Sequence, residues 1–140
     1  MGASPTECPW SRSVSYAAVR QYESASSSVL VDEVSPQRLT GMLYDGALTR
    51  LATARGAMAR GETTAKLRAM ARAIAIIEHL RACLDQQAGG SIARNLDALY
   101  DYSLRRLVHA NATNDAPAVD EVLDLLRPLA EAWDTISGPA

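Results

Sequence analysis

Histidine and acidic side chains are the residues with which this chain could hold a metal ion. A di-iron centre in a helical bundle needs an acidic residue three positions before a histidine, and neither His79 nor His109 has one. Glu78 directly precedes His79, so on a helix the two side chains point about 100° apart. The spacing therefore predicts no metal site, and we expect both histidines to be solvated helix residues.

Serine, cysteine and glycine offer no catalytic motif either. No serine or cysteine lies in a G-x-S-x-G nucleophile elbow. Cys83 lies on the apolar flank of a predicted helix and Cys8 lies in a separate segment, so we expect two unpaired thiols. Gly89-Gly90-Ser91 precedes a predicted helix but lacks the lysine of a phosphate-binding loop. We predict no enzyme active site, no metal and no cofactor.

Apolar residues that lie beside the core-facing stripes of three predicted helices could instead form a contact surface. These flank residues are Tyr44, Leu48, Ile76, Leu80, Tyr100, Leu104 and Val108. They either pack under the N-terminal segment or a second copy of the chain, or they form a groove for a partner's amphipathic helices. Spacing alone leaves these alternatives open.

Four helices must position the flank residues. They are predicted over about 36–59, 63–87, 91–112 and 116–136. The expected N-caps are Ser35, Thr63 or Thr64, Ser91 and Asp115, and Gly61 is the expected end of the first helix. Gly89-Gly90 separates the middle helices, whereas Pro128 is expected to kink the last helix without ending it.

Apolar residues spaced three and four apart predict the core face of each helix. The predicted core residues are Leu39, Met42, Leu43, Ala47, Leu51, Ala54 and Met58, then Leu67, Met70, Ile74, Ile77 and Leu84, then Ile92, Leu96, Leu99, Ser103, Leu107 and Ala110, and finally Val119, Val122, Leu126, Leu129, Trp133 and Ile136. Because the connections are short, neighbouring helices must run antiparallel. We predict an all-α, antiparallel up-down-up-down four-helix bundle over residues 35–137.

Composition and charge agree with this fold and indicate neither nucleic-acid binding nor membrane insertion. Hydrophobic residues make up 48% of the chain but aromatic residues only 5%, which favours helices over a β-sandwich. The net charge is −2 with the two signs interspersed, so we expect no nucleic-acid partner. No apolar run spans a membrane and no secretory signal is visible, so we expect a cytoplasmic protein without membrane insertion. Residues 1–34 are predicted to be a flexible tail, a short amphipathic segment and a linker.

Several motifs, in order and spacing from Tyr16 to Ile136, resemble the FliS family of flagellin-specific export chaperones. The matching pieces are Tyr16-Ala-Ala-Val19, Ser35-Pro36-x-x-Leu39-x-x-Met42-Leu43-Tyr44-Asp45-Gly46-Ala47-Leu48, Ala73-Ile-x-Ile76-Ile77, Leu84-Asp85-x-x-x-Gly89-Gly90-x-Ile92-Ala93-x-Asn95-Leu96, Leu99-Tyr100-Asp101-Tyr102, Arg105-Arg106-Leu107, Ala110-Asn111 and Ala132-Trp133. The linker between Tyr22 and Ser35 is longer than is usual in the family, the first twelve residues are an added tail, and Pro128 is an unusual proline.

The resemblance implies a cytoplasmic helical chaperone without enzymatic activity. It implies binding of the disordered C-terminal segment of flagellin, protection against premature polymerisation, and delivery of the complex to the gate of the flagellar type III export apparatus. Some family members also bind a co-chaperone or regulator. The alternative is a homodimeric helical module with a regulatory or structural role and no flagellin client.

The resemblance also suggests roles for individual residues. Tyr16 and Val19 match the N-terminal tyrosine motif, a segment that caps the bundle and helps to present the complex for export. The flank residues are the expected apolar contacts with flagellin. Asn95 and Asn111 are candidates for hydrogen bonds to the bound backbone, although helix capping or turn formation would also explain them.

Overall fold

Four α-helices account for almost all of residues 35–137, the part of the chain that the computed structural model describes. They are α1 Pro36–Arg60, α2 Thr63–Ala82, α3 Gln86–Thr113 and α4 Ala116–Ser137. Each helix packs against the two beside it, so that α1 to α4 close into a ring. Short turns make the neighbours antiparallel, and the predicted all-α four-helix bundle is confirmed.

Three of the predicted helix boundaries are confirmed. The Ser35 hydroxyl accepts a hydrogen bond from the Arg38 backbone N–H at 3.1 Å and so caps α1. Gly61 ends α1 in the left-handed region, with φ 70°. Asp115 caps α4 by accepting from the Ala118 N–H at 3.4 Å. The last helix also continues through Pro128 to Ser137, as expected.

α2 ends at Ala82, earlier than the predicted end near residue 87. Asp85, rather than the predicted Ser91, caps the first turn of α3 by accepting from the Ala88 N–H at 3.0 Å. Gly90, with φ 56° and ψ −128°, is not helical and separates this first turn from the long remainder of α3, so the predicted break at Gly89-Gly90 is confirmed. At the start of α2 the cap position belongs to Glu62, not to Thr63 or Thr64.

Small residues on α1 allow its neighbours to approach closely. A Cβ placed on Gly46 would lie 3.5 Å from Ile76 Cδ1 of α2, and one on Gly41 would lie 3.7 Å from Trp133 Cβ of α4. Ala47 and Ala54 are fully buried between these contacts. α1 therefore packs more closely against α2 and α4 than α3 does.

Most predicted core residues are buried or half-buried, but four are exposed. These are Met42, Leu67, Ile92 and Ile136, with 50%, 46%, 69% and 64% of their surface accessible. Ile92 and Ile136 lie near helix ends, where fewer neighbours cover them. Met42 lies five residues before the fully buried Ala47, about 140° around the helix, and so faces away from the core, whereas Leu67 lies at an edge of α2.

Ser103 is fully buried in α3, and its hydroxyl has no hydrogen-bond partner within the described part of the chain. A buried hydroxyl without a partner loses its hydration and gains nothing in return. Ser103 was predicted to lie in the core, and its position is confirmed.

We expect Ser103→Ala to stabilise the bundle. Urea unfolding followed by circular dichroism should show a gain in unfolding free energy larger, by about 1 kcal/mol, than that of Asn95→Ala. Asn95 is exposed in the same helix and asparagine has a helix propensity close to that of serine, so both variants gain similar helix propensity and their difference reports the buried hydroxyl. An equal effect of the two substitutions would contradict this account of Ser103.

Candidate binding surface

Three of the predicted flank residues lie in the core. Tyr44, Leu80 and Tyr100 keep only 0%, 5% and 2% of their surface accessible. The expectation that they extend the apolar surface is therefore wrong for this conformation. Alanines beside Tyr44 on α1 leave room in the middle of the bundle, and large side chains fill that room.

The two buried tyrosines join helices that are not adjacent in the ring. Their hydroxyl groups form a hydrogen bond, and their rings are tilted by 43° with centroids 6.4 Å apart. Burial is the main cause that raises the pKa of both tyrosines, so both stay neutral and act as a polar link between α1 and α3. The Trp133 side chain of α4 lies close enough to Tyr44 to lower the pKa of Tyr44 slightly against this trend.

The remaining flank residues lie on different edges of the bundle. Leu48 is seven residues from Gly41 and from Arg55, which both contact α4, so Leu48 faces the α1–α4 edge. Ile76 lies against Gly46 on the α1–α2 edge. Leu104 and Val108 lie on the side of α3 that faces α2. The structure therefore does not bring the predicted contacts into one patch.

Leu104 and Val108 belong to a shallow apolar strip that we name the α2–α3 groove, defined by Leu67, Ile74, Leu104 and Val108. Leu67 and Ile74 precede Arg81 by four and two turns, and Arg81 bonds across to α3. Val108 and Leu67 are exposed, whereas Ile74 and Leu104 are half-buried against the core. Sequence analysis placed Leu67 and Ile74 in the core and so missed half of this groove.

Polar links close the two ends of the α2–α3 groove. At one end Arg81 Nε lies 2.7 Å from Asp97 Oδ1, and Arg81 Nη1 lies 3.2 Å from Asp101 Oδ1. At the other end the nearly buried Lys66 donates from Nζ to the Asn111 carbonyl at 3.1 Å and to Asn114 Oδ1 at 3.3 Å. From Lys66 to Arg81 this groove extends for about 22 Å, at 1.5 Å per residue.

The two asparagines predicted to bind a partner's backbone have different surroundings. Asn95 is exposed on α3 and lies seven residues before Tyr102, which bonds to Glu121 of α4. It therefore faces away from the α2–α3 groove. The Asn111 side-chain oxygen is buried without a hydrogen-bond partner in residues 35–137, next to the Lys66 link. Tyr16 and Val19 lie outside the described residues.

Cys83 corrects another expectation. It is disulfide-bonded rather than an unpaired thiol; Cys8, the other cysteine of the sequence, lies outside the described residues. Spacing along the chain did not indicate that Cys83 has a disulfide partner.

Within residues 35–137 no three histidine, cysteine or acidic residues are grouped to hold a metal ion. None of the four described helices has both the length and the hydropathy to cross a bilayer.

The described part of the chain is an all-α bundle, a ring of four helices with a polar-capped apolar groove between α2 and α3. The family model "Flagellar protein FliS" matches residues 17–140. The "Flagellar secretion chaperone FliS" of Salmonella typhimurium is 46% identical over 123 residues, which are 87% of this chain and 91% of the relative.

Two further relatives agree. The "Flagellar secretion chaperone FliSB" of Pseudomonas aeruginosa is 45% identical over 86% of this chain and 95% of its own length. The "Flagellar secretion chaperone FliS" of Bacillus subtilis is 32% identical over 74% of this chain and 76% of its own length. The chain belongs to the FliS family, and the expected function in flagellar secretion as a chaperone is confirmed. This is a family of chaperones rather than of enzymes.

The tyrosine pair yields a prediction about stability. Tyr44→Phe leaves the buried Tyr100 hydroxyl without its hydrogen-bond partner, so we expect it to cost about 1–2 kcal/mol of unfolding free energy. Because the hydroxyls act together, Tyr44→Phe/Tyr100→Phe should cost less than the sum of the single variants. Tyr102→Phe, at an exposed hydroxyl, is the control and should change urea unfolding little. Additive costs would show that the two hydroxyls are not coupled.

The same pair predicts a loss of stability in alkali. The pKa of both tyrosines is raised in the folded state, so the folded chain holds these protons more tightly than the unfolded chain. Their contribution is complete below the unfolded pKa of about 10 and is lost as the pH rises above it. Unfolding free energy measured from about pH 8 to 11 should fall less steeply in Tyr44→Phe/Tyr100→Phe than in the parent. Identical slopes would contradict the raised pKa.

Proposed function

We propose that this chain binds the disordered C-terminal segment of newly made flagellin in the cytoplasm, prevents its premature polymerisation and delivers it to the flagellar type III export apparatus. Membership of the FliS family supports the export role. The observation that carries the binding proposal is the α2–α3 groove, where Leu67 and Val108 expose 46% and 58% of their surface on neighbouring helices.

The dimensions of the α2–α3 groove suit an amphipathic helix. About four turns of helix cover 22 Å, and residues at i, i+3, i+4 and i+7 of such a helix would set one apolar stripe between α2 and α3. Asp97, Asp101 and Arg81 at one end offer charged partners for the polar edge of that helix. The ligand gains most binding free energy where it covers Val108 and Leu67, because these two side chains are the most exposed of the four.

The spread of the other apolar residues favours a long ligand that wraps the bundle. Leu48 and Ile76 lie half-buried on two edges other than the α2–α3 groove. Ordering a flexible tail costs conformational entropy, so a tail must cover a large surface to leave useful affinity. We propose that successive segments of the tail occupy successive edges, with the α2–α3 groove as the principal contact.

The proposed contacts differ from those expected at first. Tyr44, Leu80 and Tyr100 are buried, so we propose that they hold the bundle together rather than meet the client. Tyr16 and Val19 stay proposed as the segment that caps the bundle and presents the complex for export. A further partner, such as a co-chaperone or regulator, stays part of the proposal.

We expect Val108→Asp and Leu104→Asp to weaken flagellin binding by about tenfold or more each, because each places a carboxylate in an apolar contact. The measurement is isothermal titration calorimetry with a peptide of the last ~40 residues of flagellin, long enough to wrap a bundle at ~1.5–3.3 Å per residue. Ile136→Asp is the matched control, since Ile136 is similarly exposed but lies at the end of α4. The control should bind like the parent.

Unchanged affinity for both groove variants would remove the α2–α3 groove from the contact surface. The homodimer alternative is tested on the same samples. It requires a concentration-dependent dimer in sedimentation and no rise in melting temperature with the peptide, whereas a ligand that binds only the folded chain raises that temperature.

A further inference from the structure

The charges of the chain are not evenly distributed over the bundle. Residues 46–76, the paired halves of α1 and α2, carry a single acidic residue, Glu62, and six basic ones: Arg50, Arg55, Arg60, Lys66, Arg68 and Arg72. In residues 77–137 acidic residues outnumber basic ones. The net charge of −2 therefore conceals a basic half and an acidic half.

Half of these six cations have partners inside the protein. Arg55 pairs with Asp120 of α4 at 3.0 Å, and Arg60 pairs with Glu62 at 3.0 Å. Lys66 is nearly buried and donates to α3. The other three, Arg50, Arg68 and Arg72, are exposed and form no ion pair within the described part of the chain.

The packing of α1 on α2 brings the unpaired arginines together. Gly46 and Ile76 touch across the two antiparallel helices. Arg50 lies one turn after Gly46, and Arg72 lies one turn before Ile76, so both lie one turn further along the same edge. Arg68 follows one turn beyond Arg72. Glycine and alanine hold these helices close, which places like charges side by side with no carboxylate between them.

Such an arrangement favours a ligand that supplies the missing carboxylates. Two juxtaposed guanidinium groups repel each other until an anion lies between them, and their planar forks match carboxylates in bidentate geometry. Small exposed residues, Thr53 of α1 and Ala65 of α2, continue this edge towards the α1–α2 turn. A shallow edge of this kind accepts the backbone of a helix, and acidic residues four apart on that helix would match the spacing of Arg72 and Arg68.

We propose that the edge formed by Arg50, Arg68 and Arg72 is a docking surface for an acidic helical segment of a second protein. It is separate from the α2–α3 groove, so a ligand confined to that groove leaves it accessible. The acidic half of the chain opposes a long polyanion that would wrap around the bundle, which favours a protein segment over a nucleic acid. The surface does not depend on the proposed flagellin binding.

The test uses a rhodamine-labelled helical peptide of ~20 residues with glutamate at positions four apart and alanine elsewhere, and a matched peptide with glutamine in place of glutamate. Fluorescence anisotropy should show that the glutamate peptide binds the full chain and the glutamine peptide does not. Arg50→Glu/Arg72→Glu should weaken binding by about tenfold or more. Arg38→Glu/Arg94→Glu makes the same change in net charge elsewhere and should change the affinity less than about twofold.

Several results would overturn the proposal: no binding of the glutamate peptide, equal weakening by the control variant, or tighter binding of a single-stranded oligonucleotide or of phosphatidylglycerol vesicles. Self-association of the parent chain that Arg50→Glu/Arg72→Glu abolishes would identify the surface as a contact between copies instead. Circular dichroism checks that both double variants are folded. Titration with the flagellin peptide is independent: unchanged affinity in Arg50→Glu/Arg72→Glu would show that a failure here leaves the proposed function intact.

Discussion

Close packing of α1 against its two neighbours is the constraint on which the rest of this bundle depends. Gly41 and Gly46 bring α4 and α2 within van der Waals contact, and Ala47 and Ala54 keep the inner face of α1 flat. A helix that contributes so little volume leaves space in the centre. Tyr44 and Tyr100 occupy that space, and their hydroxyl groups satisfy each other where water is excluded.

The same packing leaves α3 as the least closely held helix. Its core-facing residues Tyr100, Leu107 and Ala110 are buried. Salt bridges join its two edges to the neighbouring helices: Arg81 with Asp97 and Asp101 on one side, and Arg106 with Glu121 at 2.9 Å on the other. The α2–α3 groove therefore lies where α2 packs less closely against α3 than against α1.

The two edges of α2 present two kinds of surface. Its α3-facing edge presents Leu67 and Ile74, and its α1-facing edge presents Arg68 and Arg72. An apolar edge suits a client whose own apolar stripe is unpaired, whereas a cationic edge suits a partner that is recognised by charge.

The sequence by itself determined the four helices, their antiparallel order and most of the core, because apolar spacing and capping residues such as Ser35, Gly61 and Asp115 act locally. It did not determine which side chains remain exposed. Tyr44 and Tyr100 lie beside the predicted core-facing stripes but are buried, whereas Leu67 lies on a predicted stripe but is exposed. The tertiary structure decided these cases because burial depends on how closely the facing helices approach, and that distance is set by the side chains of both helices together.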